Sequence, residues 1–109
     1  MVNHEGATPT AQIAANAKRG LELRARFKRG GTEVGVARAH QLAARDPLNA
    51  ADIKSMYSYF ARHEVDKLAR ARIWGDESNP SAGYIAWMLW GGDEGKAWAA
   101  RQHAALAED

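Results

Sequence analysis

The sequence predicts an all-α protein, a compact bundle of about five short helices around a central tryptophan-rich one. Three observations point there. Nothing alternates with period two over a useful length, so no strand pattern competes. Ile53, Met56, Tyr57 and Phe60 fall at i, i+3, i+4 and i+7, the spacing of one helix face. Every residue from Tyr84 to Trp90 is apolar or aromatic, so this segment can turn no side to water and other elements must pack around it.

The chain divides into a flexible N-terminus, residues 1–8, and a single helical domain, residues 9–106. Thr8-Pro9 predicts the start of the first helix, with proline where its missing N–H costs nothing. Ile13, Ala17 and Leu21 recur every four residues, followed by Arg24 and Phe27, and Gly30-Gly31 is the expected stop. Gly20, inside this helix, costs about 1 kcal/mol relative to alanine and is best tolerated where another helix comes close. Thr32 caps the second helix and Glu33 meets the positive end of its dipole, with Val34, Ala37 and Leu42 as the expected buried stripe. Asp46-Pro47 ends it.

Asn49 caps the third helix, Ala50 to His63, with Asp52 at its third position. Lys67 to Arg72 extends that helix or leaves it, and Gly75 to Pro80 is a dense turn cluster. Ser81 caps the central helix, which places Tyr84, Trp87 and Met88 on one face and Ile85 and Leu89 on the next. Gly91-Gly92 closes it, and Asp93 is the expected cap of a last helix carrying Trp98, Arg101 or Gln102, and Ala105 to Leu106. The strings Gly30-Gly31-Thr32-Glu33 and Gly91-Gly92-Asp93-Glu94 echo one another as two tight interhelical turns.

The chain has no cysteine, which excludes disulfides and thiolate metal sites and is consistent with a reducing compartment. No run approaches the roughly 18 apolar residues that span a bilayer, and the N-terminus lacks the basic-then-apolar order of a signal peptide. The expectation is a soluble, unexported protein with no membrane partner. Net charge is +2, but its distribution is uneven. From Lys18 to Arg45, eight basic residues face only Glu22 and Glu33, so this segment is strongly positive and the remainder negative. That asymmetry suggests nucleic acid or an acidic protein surface as partner, with Lys18, Arg19, Arg24, Arg26, Lys28, Arg29 and Arg38 as phosphate contacts. The bland alternative is a solvated, arginine-rich helix face.

Other constellations are weaker. The second and third helices have the proportions of a helix-turn-helix, which would present Lys54, Ser55, Ser58 and Arg62 to a major groove; an ordinary helical hairpin is commoner. His63, Glu64 and Asp66 could serve a metal or catalysis, but position 67 is lysine where a zinc-protease pattern needs histidine. A polar helix C-terminus explains them better, so the expectation is no enzyme, no catalytic residue, no metal and no cofactor. Trp87, Trp90 and Trp98 could stack on bases, but their apolar context favours the core.

The strings AANAKRGLELRARFKRGGTEVGVARAHQLA, MYSYFARHEVDK and NPSAGYIAWMLWGGDEGKAWA together resemble a small helical domain found in tailed-bacteriophage and prophage proteins. The resemblance spans about residues 9–101. It implies a phage or prophage setting near head morphogenesis, in the host cytoplasm or a virion, with phage structural proteins as possible partners. It carries over no catalytic residue, and it implies that the loop from Leu68 to Ser78 varies most.

Overall fold

The computed structural model describes residues 6–68 and 72–107. Five α-helices follow in order: α1 (Ala11–Phe27), α2 (Glu33–Ala43), α3 (Ala50–His63), α4 (Ala82–Leu89) and α5 (Gly92–Ala107). A 3-10 turn, Glu64–Leu68, continues α3. The all-α expectation holds, and there is no strand among the described residues. No described helix is long and apolar enough to cross a membrane.

α1 packs on α2 and α4, α3 packs on α5, and the short α4 touches all four other helices. The aromatic segment is therefore the hub its composition demands. Trp87 is 1% exposed, its ring 4.7 Å from Phe60 edge to face, with Ile13, Leu42, Met56 and Leu89 also in the core. Trp90 stacks on Tyr59 at 4.5 Å and Trp98 is buried in the same cluster. The Trp87 indole N–H donates to Asp93 at 2.9 Å, so the largest buried side chain keeps its polar atom partnered.

Gly20 is where α1 and α4 meet. A Cβ there would lie 2.6 Å from the Leu89 backbone nitrogen, so the glycine is required by the close approach, as its mid-helix position suggested.

Several local readings shift. The N-cap of α1 is Thr10, whose hydroxyl accepts from Ile13 N–H, and the helix begins at Ala11 rather than Pro9. Of the segment expected to be flexible, residues 1–5 lie outside the described residues, but Ala7 forms a two-bond antiparallel bridge with Leu48. α1 stops at Lys28, which turns left-handed at φ 54° and donates its N–H to Arg24 O, two residues before the glycine pair. Gly30 and Gly31 instead lie flat on α4, where a Cβ on Gly30 would meet Ile85 Cβ at 2.6 Å.

In α2 the buried residues are Gly35, Ala39 and Leu42, while Val34 is 62% exposed and Ala37 also faces out. The Trp90 indole packs against Gly35, and the helix turns its smallest residues inward to admit it. α2 ends at Ala43, with Arg45 at φ 55°, before Asp46-Pro47 is reached.

α3 begins on the full capping box of Asn49 and Asp52 and buries Ile53, Met56 and Phe60 as its spacing predicts. Tyr57 is exposed, however, stacked on His103 at 4.0 Å, and Tyr59 is the tyrosine that enters the core. Ser81 caps α4. α5 begins at Gly92, so Asp93 lies inside its first turn rather than capping it. Gly95, Trp98 and Ala99 are buried, and Gln102 rather than Arg101 continues that side. The 3-10 turn replaces the expected helical extension from Lys67, and residues 69–71 of it lie outside the described residues.

Candidate nucleic-acid interface

The seven basic residues singled out in the sequence do not form one surface. Arg38 is the clearest departure. It projects inward from α2, its side chain only 10% exposed, and donates to Gln41 Oε1 at 2.6 Å while pairing with Asp52 at 3.0 Å. Its guanidinium lies 5.5 Å over the Trp90 ring. Burial opposes charge on Asp52, but hydrogen bonds from Arg38, Gln41 and the Asn49 backbone outweigh it and hold that carboxyl below its usual range. Arg38 joins α2 to α3, with its charge already paired to Asp52.

Arg19 is also engaged internally. Its Nε donates to Glu77 Oε1 at 2.6 Å, and the other Glu77 oxygen accepts from the Tyr84 hydroxyl at 2.8 Å. α1 thereby holds the turn cluster before α4. Burial pushes the Glu77 carboxyl up, and the Arg19 and Tyr84 hydrogen bonds more than reverse it.

The other five remain at the surface. Lys18, Arg26 and Lys28 are exposed and form no ion pair or side-chain hydrogen bond among the described residues; Arg26 lies 5.1 Å over Phe27. Arg24 donates Nε to Gly30 O at 3.0 Å, and Arg29 donates to Pro80 O at 2.8 Å and Asn79 Oδ1 at 3.3 Å. Those bonds position the two guanidiniums without neutralising them, because each acceptor is an uncharged carbonyl. Arg24, Lys28 and Arg29 line one open recess of about 620 Å³ at the α1–α2 junction, floored by Gly30 and Gly31. The amides of Arg29, Gly30 and Gly31 donate to no group among the described residues. The recess thus gathers three positive side chains beside the Gly30–Gly31 backbone, a setting suited to a phosphate.

The helix-turn-helix geometry is absent. α2 and α3 make no close backbone contact; α3 lies on α5, and the Arg38–Asp52 pair is what spans from α2 to α3. Lys54, Ser58 and Arg62 are exposed, but α2 does not brace that helix as a helix-turn-helix requires.

His63 Nδ1 lies 3.2 Å from Asp66, and Glu64 pairs with Lys96 at 2.7 Å and Lys67 at 3.4 Å. Lys96 above all, and Lys67, hold the Glu64 carboxyl below its ordinary range. Among the described residues no group of three histidine, cysteine or acidic side chains is placed to hold a metal ion.

Sequence reasoning missed Asp93. Its position after Gly91-Gly92 suggests a cap, yet its Oδ1 accepts from both the Trp87 indole and, at 3.0 Å, Lys67. The available signal was an acid six residues beyond a tryptophan that needed a hydrogen-bond acceptor. Comparison of the chain with protein-family models, curated proteins and solved structures finds no match.

Proposed function

We propose that this chain is a non-enzymatic helical module that binds nucleic acid through the basic end of α1, in the tailed-phage setting its sequence resemblance implies. The observation carrying this reading is the convergence of Arg24, Lys28 and Arg29 on one open recess, with Arg26 exposed nearby. Phosphate neutralisation by a few side chains releases counterions, so affinity falls with salt and depends little on base sequence. Each contacting residue that is neutralised lowers the log–log salt slope by about 0.9. Arg19 and Arg38 belong to the scaffold and leave the contact set.

The test is a DNA-binding titration at low and moderate salt, with the mass in solution recorded on the same sample. Binding that weakens with salt and is lost in an Arg26→Gln/Lys28→Gln/Arg29→Gln variant is the expected result.

A second reading, a virion or head-assembly module acting through protein contacts, is favoured by another observation. Val65 and Leu68 of the 3-10 turn are 66% and 77% exposed, and Ile73, a few residues on in the chain, is 77% exposed, all three bare aliphatic side chains. Absence of DNA binding at low salt, with a mass above the 11.9 kDa monomer, would favour it over the first.

A further inference from the structure

We infer that Arg72, from the segment between the 3-10 turn and α4, belongs to the phosphate-contacting surface, where it stands beside Arg29 as a two-guanidinium clamp for a phosphate of a nucleic-acid backbone. The inference rests on the nucleic-acid reading and adds to it a contact from a distant part of the chain.

Three bonds define the clamp. Arg29 Nη1 donates to Pro80 O at 2.8 Å and to Asn79 Oδ1 at 3.3 Å, and Arg72 Nε donates to the same Asn79 oxygen at 3.2 Å. The two donating nitrogens therefore stand no farther apart than the two bonds to Asn79 laid end to end. Asn79 is a neutral acceptor, so it orders the guanidiniums and leaves both charges in place. The Pro80 side chain is fully buried, which ties Arg29 to a fixed point of the backbone. Arg72 commits only Nε, and its two terminal nitrogens have no acceptor among the described residues. Paired N–H groups of that kind fork onto two oxygens of a phosphate.

The acids of the same segment are engaged elsewhere. Glu77 accepts from Arg19 and Tyr84, and Asp76 accepts from the backbone and hydroxyl of Ser78. Among the described residues neither Arg29 nor Arg72 pairs with a carboxylate; their acceptors are the uncharged oxygens of Asn79 and Pro80. Like charges held this close repel, and an anion between them removes the repulsion. Arg29 also lines the basic recess with Arg24 and Lys28. Clamp and recess thus share one residue and form a continuous positive surface with two anion positions side by side, as neighbouring phosphates of a phosphodiester chain require.

The experiment is titration of a short labelled DNA duplex with the full chain between about 50 and 200 mM NaCl. Arg72→Gln should weaken binding at low salt about twofold to fivefold, the scale of an exposed ion pair, and lower the log–log salt slope by about 0.9. Arg72→Lys keeps the charge and should keep the wild-type slope. Asn79→Asp removes no arginine but sets a carboxylate between the two guanidiniums, and should weaken binding at least as much as Arg72→Gln. Arg101→Gln makes the same charge change at an exposed position of α5 and should leave the slope at its wild-type value. Arg72 and Asn79 lie outside the helices, so all variants should melt like the wild type and their effects read binding rather than folding. Salt-dependent binding by the wild type that is unchanged in both Arg72→Gln and Asn79→Asp would overturn the clamp and leave the nucleic-acid reading standing. An equal loss in Arg101→Gln, which reduces the effect to net charge, or a slope lowered in Arg72→Lys as much as in Arg72→Gln, would do the same. No binding by the wild type at low salt would overturn both.

Discussion

The aromatic hub around Trp87 and the basic junction around Arg24 to Gly31 are built on opposite principles. In the hub, rings from α3 and α4 interlock, and the Trp87 N–H has its acceptor in Asp93. In the junction, charged groups face an open recess and pair only with neutral carbonyls. The hub gives stability and offers the solvent little; the junction gives little stability and keeps its charge available. Substitutions can separate the two.

The largest effect belongs to the hub. Trp87→Ala should cost about 3–5 kcal/mol by emptying a large closed site, measured by chemical denaturation; a melt lowered by less than a few degrees would show that the core is centred elsewhere. Gly20→Ala comes next and tests the same packing from α1. Helix propensity alone favours alanine by about 1 kcal/mol, but the new methyl would meet Leu89 and Met88 backbone that cannot turn aside. A net loss of about 1–3 kcal/mol is expected, and a stabilised variant would contradict the tight α1–α4 approach.

The Arg38–Asp52 connection is smaller and visible through pH. Asp52, Glu77 and Asp93 all have carboxyl groups held below their usual range in the folded chain. A folded-state pKa below the unfolded value adds stability above the unfolded pKa of about 4, and that stability is lost as pH falls through the folded pKa. The melting temperature should be flat near neutrality and drop below about pH 4, with Asp52→Asn showing a lower plateau and a shallower drop. Equal drops in both proteins would remove Asp52 from the set.

The smallest stability effect is expected in the junction. Arg26→Gln/Lys28→Gln should stay within about 0.5 kcal/mol of wild type, as surface changes do, while reducing the salt slope of DNA binding. Loss of stability without loss of binding would invert the comparison.

Much of the fold was legible from local chemistry. The cap at Thr32, the capping box at Asn49 and the cap at Ser81 depend on a few neighbouring residues and stand where the sequence puts them. The all-apolar Tyr84–Trp90 run could only be a buried centre. The boundaries of α1 were less legible, because Thr8 and Thr10 are equally good caps and a lysine can adopt the left-handed turn when packing favours it.

The candidate site was legible only in part. Composition shows that positive charge is concentrated in the first two helices, but it cannot tell an arginine that faces solvent from one that faces Asp52. Helix rotation decides that, and rotation of α2 is set by Trp90 packing against Gly35. Tyr57 and Tyr59 exchange roles for the same reason, because α3 must satisfy both α5 and Trp90.

What the sequence determined alone is the helical class, the caps at Thr32, Asn49 and Ser81 and the identity of the hub, since each follows from side-chain type and spacing within one turn or two. Tertiary structure decided which arginines are scaffold, which remain open to a ligand, and that Lys67, Asp93 and Trp87 meet. Those outcomes depend on contacts between residues far apart in the chain, where direction and distance, rather than residue type, carry the energy.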